Sequence, residues 1–415
     1  MNQGDTELML GELENVGHEI VEDLDKADIV LVNTCAVTRT TLNRVTYRLK
    51  ELYDEDDRKI IVAGCLPLID HGKIEDIGNF SGVISCGAVD QVADVVRRIS
   101  DGENGITELN GSSRGAQVHR HRISNLSAPV PIAEGCTSNC SYCCVKFARG
   151  ELKSFEPGRI LKQVEEEVDF GRKEIYITTQ DTGAYGMDLE DNVDLAYLLD
   201  KITSIPGNFM VRVGMMNPKN AKGILDRLLD VYRSEKIYNF LHLPVQSGNN
   251  EVLQKMRRDY TVEDFKSIVR CFEENIPNLH LSTDIIVGFP GEDEGAFNDS
   301  CKLLREIKPD KVNITRFTPM PNTEAEGMDQ IDSEEKKRRS KRMTDLHKEI
   351  SLEKNRRYVG TVDTGLVLKE GKKGGYEARL KNYKPTIVED EVPGKFVKIK
   401  ITEAKPTYLV GEVVG

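Results

Sequence analysis

Along the first hundred residues, short unbroken apolar runs alternate with longer stretches whose apolar positions recur every three or four residues. Residues 27–32 (ADIVLV), 59–63 (KIIVA) and 82–85 read as buried strands, and 6–19, 41–53 and 89–99 as helices. Such alternation predicts a Rossmann-like parallel sheet with helices on both faces. The pattern lapses over 102–122, which is rich in Gly, Ser, Asn and charge and reads as a linker. His119 and His121 are expected there as solvated loop side chains. From 130 onward a strand–loop–helix unit repeats. Strands are predicted at 130–133, 175–178, 209–213, 237–243, 279–287 and 312–317, with helices between them at 159–170, 195–205, 221–234, 262–274 and 294–307. Six such units are too few to close an eight-stranded barrel, so an open, partial (β/α)6 barrel is expected. A charged helix over 331–358 then leads into short alternating strands up to 414, the pattern of a small β-barrel.

A chain of 415 residues exceeds one ordinary core, and 39% apolar with 30% charged residues is ordinary for a soluble protein. No apolar run approaches a membrane span and MNQGDTELML is no signal peptide, so a cytoplasmic protein without membrane contact is expected. Nine cysteines, four of them within residues 134–147, do not form a secreted disulfide framework. The net charge of −12 is unevenly spread: residues 336–415 carry +9 and the rest −21. A basic end on an acidic body points that end at phosphate, although a solvated basic helix without a partner has the same charge.

The chemistry concentrates in EGCTSNCSYCCVKF, residues 134–147. Cys136, Cys140 and Cys143 stand in a C-x-x-x-C-x-x-C spacing with Tyr142 before the third cysteine. Three thiolates on one loop suit three corners of an iron–sulfur cubane, leaving the fourth iron free for a small molecule. A zinc loop or plain buried cysteines are the alternatives, but no second Cys-x-x-Cys pair follows to complete a zinc site. Cys35 and Cys65 end the first two predicted strands, where open α/β sheets place their ligands.

The 134–147 loop resembles the signature of the radical S-adenosylmethionine (SAM) enzymes. NTCAV around Cys35 and AGCLP around Cys65 are similar to the second and third cysteine boxes of the methylthiotransferases, and NQGDTE at 2–7 is similar to the tail of their first. YITTQDTGAYG, HLPVQSGNNEVLQKMRR, TDIIVGFPGE and NITRFTPMPNT resemble core segments of that family, in its order. The strands after 358 resemble a TRAM domain, an RNA-binding module. The expected domains are therefore a methylthiotransferase N-terminal domain (1–105, lacking its first strand and first cysteine box), a linker (106–127), a radical SAM core (128–350) and a TRAM domain (351–415).

The resemblance implies a [4Fe-4S] cluster on Cys136, Cys140 and Cys143 with SAM at its open iron. It also implies an auxiliary [4Fe-4S] cluster on Cys35, Cys65 and a third cysteine expected just before Met1, in an upstream extension. Thr179, Gln180, Asp181, Gln246 and Gly288 fall in loops that line the SAM pocket of the family. In the TRAM-like part Arg379, Lys381 and Lys384, with Tyr376 and Tyr383 beside them, are expected to engage RNA. The implied activity is methylthiolation of C2 of an adenosine in the tRNA anticodon arm, aided by an electron donor and a sulfur source. The 376–388 segment, NITRFTPMPNT and GMMNP resemble the branch acting on N6-threonylcarbamoyladenosine at position 37. Action on isopentenyladenosine is the alternative within the family. A catalytically impaired RNA-binding iron–sulfur protein is the alternative outside it.

Overall fold

The structure is a computed structural model that describes residues 1–55, 58–111, 120–190, 192–371, 374–389 and 391–414. The chain divides into two units. One comprises Met1–Ile123, Glu134–Lys153 and Thr318–Gly327; the other comprises Ser124–Ala133, Ser154–Phe317 and Met328–Gly415. The stretch expected as the start of the radical SAM core therefore contributes its cysteine loop to the first unit. Among the described residues no helix is long and apolar enough to cross a membrane.

The first unit is built on a parallel sheet, in spatial order Ile29–Thr34, Lys59–Gly64, Gly82–Ser85 and Ile106–Glu108. Successive residues of a strand point to opposite faces. Ile60 and Val62 accordingly join Leu42, Leu49 and Leu52 of the helix Arg39–Glu55, while Ile61 and Ala63 join Met9, Leu13, Val92 and Val95 on the other side. The fourth strand lies in the stretch expected as linker; three residues are too few for the alternation to show. The first helix, Asn2–Asn15, begins four residues before its expected start. The Asn33 amide donates to the Asn2 carbonyl (2.9 Å) and to Thr6 Oγ1 (2.8 Å), pinning that extra turn. His121 is not a solvated loop side chain: its Nδ1 lies 2.8 Å from Glu14 Oε1 and its backbone N–H donates to the Glu7 carbonyl. Residues 112–119 of the expected linker, His119 among them, lie outside the described residues.

The second unit holds six parallel strands in two runs. Ser127–Pro131, Glu174–Thr178 and Met210–Val213 form one, and Phe240–His242, His280–Val287 and Lys311–Arg316 the other. A bridge between Val211 and Ile237 joins them. The helices Pro157–Asp169, Leu195–Ser204, Val262–Asn275 and Glu294–Ile307 fall where the 3.6-residue periodicity places them.

The long helix Ser333–Arg356 is N-capped by Asp332, whose side chain accepts from the N–H groups of Glu334 and Glu335. Its arginines meet carboxylates of the same unit. Arg339 reaches Glu292 at 3.0 Å, and Arg338 and Arg342 reach Glu294 at 2.6 and 3.0 Å. Part of the basic charge is thus balanced at home.

Beyond it, five strands close a barrel: Val362–Glu370, Tyr376–Leu380, Pro385–Val388, Leu409–Val413 and Phe396–Ala404 in spatial order. The segment 376–388, which reads as one run in sequence, is split by a tight turn. Tyr383 takes φ +66°, and Asn382 accepts from the Lys384 N–H (3.2 Å) while its own amide donates to Tyr358 Oη (2.9 Å).

Candidate iron–sulfur and cofactor site

The cysteine loop closes on itself through a glycine. Gly135 has φ +73°, and a Cβ there would sit 1.9 Å from the Glu151 carbonyl oxygen. Only the bare backbone lets Cys136 N–H reach the Gly150 carbonyl at 3.2 Å. The Cys143 N–H donates to the Cys140 carbonyl, and the helix Val145–Arg149 follows at once. Cys136, Cys140 and Cys143 are partly exposed, whereas Cys144 is buried. The Cys143 thiol is pushed up to about 12 by burial and then by the charge of Cys140, with smaller contributions from Cys144 and Cys136. Bound iron would relieve the crowding of negative charge that disfavours the Cys143 thiolate. Among the described residues no His, Cys, Asp and Glu group is preformed for a single metal ion.

The same loop is fastened to the ends of the parallel strands. Registers pair Thr34 with Gly64 and Gly64 with Ser85. Cys35, Cys65 and Cys86 therefore each stand one residue beyond a level strand end. The Cys86 thiol donates to the Ala148 carbonyl at 3.0 Å, the Cys144 thiol to the Ala36 carbonyl at 3.7 Å, and Arg149 pairs with Asp5. The Cys86 S–H is shared between the Ala148 carbonyl and the Cys65 sulfur, and this lowers the Cys65 thiol to about 6 against its burial, with help from the Arg149 charge. Cys86 is held protonated by the same bond and by burial. Burial raises the Cys35 thiol, and the Cys65 charge adds to it. Cys86 lies in none of the sequence segments that resemble the family's cysteine boxes. Its position one residue past the strand Gly82–Ser85, matching Cys35 and Cys65, was the signal available.

The expected SAM-contact residues all follow strands of the second unit. Gln246 takes φ +70°, a strained backbone for a side-chain-bearing residue, and is held there by bonds to Asp284 and Ile286. Gly288 has φ +75°, and its N–H donates to Glu292 Oε2 at 2.7 Å. The Thr179 hydroxyl lies 3.5 Å from Gln180 Oε1. Asp181 is buried, and its carboxylate accepts from Asn217 N–H, Gly183 N–H and the Asn220 amide at 2.9, 3.1 and 2.7 Å. Its geometry is that of a group organising the loops after two strands.

The three cationic residues expected at RNA are placed differently from one another. The Lys381 ammonium donates to the carbonyls of Ser234, Glu235 and Ile237 at 3.1, 2.6 and 2.6 Å. Lys384 is 3% exposed and bonds Asp310 and Asn355, both at 2.7 Å. Contact with RNA would require either ammonium to give up these partners. Arg379 pairs with Glu377 at 2.5 Å and stacks over the Tyr383 ring.

Comparison with known proteins agrees with this layout. Residues 130–304 match the Radical SAM superfamily, 1–84 the uncharacterized protein family UPF0004 and 356–414 the TRAM domain. Among solved structures, the radical SAM methyltransferase TsrM of Kitasatospora setae aligns with a TM-score of 0.59 at 14% identity, over 79% of this chain and 72% of that one. This likeness is one of fold. The chain is 44% identical over 417 residues to a probable threonylcarbamoyladenosine tRNA methylthiotransferase of Pyrococcus abyssi, covering 100% of this chain and 97% of that protein. It is 33% identical to the threonylcarbamoyladenosine tRNA methylthiotransferase of Xenopus laevis, covering 75% of the latter, and 31% identical to that of Homo sapiens, covering 72%. The chain belongs to the threonylcarbamoyladenosine tRNA methylthiotransferase family of radical SAM proteins.

Proposed function

We propose that this protein transfers a methylthio group to C2 of N6-threonylcarbamoyladenosine at position 37 of tRNA. The observation that carries the reading is end-to-end likeness, at 44% identity, to a relative of that name. The aromatic C–H bond at C2 resists acid–base chemistry, so a radical cofactor is required. When bound, the [4Fe-4S] cluster and SAM supply the electron and the 5′-deoxyadenosyl group for hydrogen abstraction. Cys136, Cys140 and Cys143 would hold that cluster. Gly135 closes their loop, and Arg149 anchors its C-terminal helix on Asp5. Cys35 and Cys65, on level strand ends, would hold an auxiliary cluster that carries the sulfur to be transferred. Thr179, Gln180, Gln246 and Gly288 are the residues that would contact SAM, Gln246 and Gly288 standing on turns that ordinary residues avoid; Asp181 positions the Thr179 loop. The five-stranded barrel would engage the anticodon arm.

The test is anaerobic reconstitution with iron and sulfide, followed by incubation with SAM, dithionite and tRNA bearing threonylcarbamoyladenosine. Mass spectrometry of digested nucleosides should show the methylthio derivative, and tRNA bearing isopentenyladenosine should stay unchanged. Methylthiolation of the isopentenyl substrate alone would overturn the assignment. So would release of 5′-deoxyadenosine with neither tRNA modified.

A further inference from the structure

Within the second unit, a cavity of about 830 Å³ lies between the inner side chains of the partial barrel and the closed barrel. Its volume is that of a small-molecule site. Arg212, Lys311 and Arg379 face it together with Phe240, Tyr383 and His242. The Arg212 guanidinium lies over three rings, 4.9 Å from Phe240, 5.3 Å from Tyr383 and 5.7 Å from Tyr176. Its Nε has no hydrogen-bond partner among the described residues, nor does Nε of Arg379. Burial, then the charges of Arg212 and Arg379, push the Lys311 ammonium below its ordinary value, with Asp284 offsetting part of this.

No carboxylate among the described residues pairs with Arg212 or Lys311, although Glu377 neutralises Arg379. Asp284 accepts from Asn313 (2.5 Å) and lies 3.0 Å from His242 Nε2, Glu377 pairs with Arg379, and Asp310 pairs with Lys354 and Lys384. His280 is 5% exposed, and both of its ring nitrogens lack a hydrogen-bond partner among the described residues. It also lines the cavity. Cations crowded on rings, beside an unsatisfied buried imidazole, leave a place for an anion attached to a planar group.

We propose that this cavity is a specificity pocket that binds the free carboxylate of the threonyl substituent, through Arg212 and Lys311, with the carbamoyl plane against Phe240 and Tyr383. The inference rests on the substrate reading proposed above. His242 pairs with Ser282 and Gln246 bridges to Ile285, three steps along the same strand or roughly 10 Å at 3.3 Å per residue. That is of the order of a base with its amino-acid substituent. A phosphate of the RNA backbone shares the charge but would leave the aromatic walls without a role, since they favour a flat group.

The test measures binding of the free nucleoside N6-threonylcarbamoyladenosine, its methyl ester and inorganic phosphate to the reconstituted full chain by calorimetry. The acid should bind at least tenfold more tightly than the ester. Arg212→Met and Lys311→Met should each remove that preference, and Arg212→Lys should restore part of it. Lys311 is exposed to the cavity, so its variant tests the pocket without removing a core side chain. In the methylthiolation assay the same variants should raise KM for threonylcarbamoyl tRNA more than they lower kcat. Equal binding of acid and ester by a protein that still methylthiolates threonylcarbamoyl tRNA would overturn the pocket and leave the activity standing. Phosphate binding lost in Arg212→Met without acid–ester discrimination would overturn it in favour of a backbone contact. Failure to modify threonylcarbamoyl tRNA at all would instead count against the substrate reading.

Discussion

Asp5 and Arg149 lie 144 positions apart in sequence and meet as a buried ion pair, Oδ2 to Nη2 at 2.6 Å. The acid sits on the first turns of the N-terminal helix and the base on the helix that ends the cysteine loop. Removing one member of such a pair leaves an uncompensated buried charge, at a cost of about 3–5 kcal/mol. Asp5→Asn should therefore lower the unfolding free energy of the first unit by about 3 kcal/mol in urea titrations. It should also reduce iron bound per chain after reconstitution. The double variant Asp5→Leu with Arg149→Met, which removes both charges, should recover most of the stability. Equal losses in single and double variants would show that the pair is not what holds the loop.

The second unit carries a built-in acid sensitivity. Burial holds His280 at about 3 and His347 at about 4, well below the ordinary value near 6.5. Asp310 opposes the shift of both; Lys384, Lys354 and Arg379 reinforce it at His280, and Lys311 and Lys384 at His347. Below pH 6.5 the unfolded chain takes up protons that the folded chain refuses. Stability therefore falls as pH drops towards 4, by about 2 kcal/mol per histidine at pH 5. Thermal melts at pH 7 and pH 5 should show this, and His280→Asn should reduce the slope. A melting temperature independent of pH over this range would refute the assignment.

Lys381 is bonded to three carbonyls at the end of the segment that follows the helix Leu225–Tyr232. Lys381→Met strands those oxygens, with a net loss of about 1.5–3 kcal/mol expected for a bond to a charged group. Hydrogen exchange should rise across 231–238. The salt dependence of RNA binding should stay as in the parent, because that ammonium is committed to the fold. A shallower salt slope would return Lys381 to the RNA surface.

The strained backbone at Gln246 gives a trade-off to look for. Gln246→Gly relieves a left-handed conformation worth about 1 kcal/mol, so the variant should be as stable as the parent or more so in urea. SAM affinity should nevertheless drop several-fold, measured by calorimetry on reconstituted protein. A variant that gains stability and binds SAM as before would remove Gln246 from the pocket.

The repeating architecture was legible because it rests on periodicity. The six strands of the partial barrel fall within a few residues of their expected places, because strands buried on both faces of a parallel sheet show as near-continuous apolar runs. The residues that depart from expectation are those whose partners are remote. Lys381 and Lys384 look like solvent-facing cations until Ser234 and Asp310 are seen beside them. A lone Asn382 without Gly or Pro beside it is a weak turn signal, and only its bond to the Lys384 N–H and the positive φ of Tyr383 reveal the break between two barrel strands. Cys86 has no motif of its own, and only the register of three strands brings it level with Cys35 and Cys65.

The chain leaves the partial barrel after its first strand, contributes the stretch Glu134–Lys153 to the N-terminal unit, and then returns. The two parts are therefore not interchangeable modules. A chimera that trades the first 105 residues for those of a distant homologue must bring an acid opposite Arg149 and a thiol donor for the Ala148 carbonyl. Inheritance of the sulfur-bearing loop is thereby coupled to the helix Asn2–Asn15, and recombination within this family should respect that linkage.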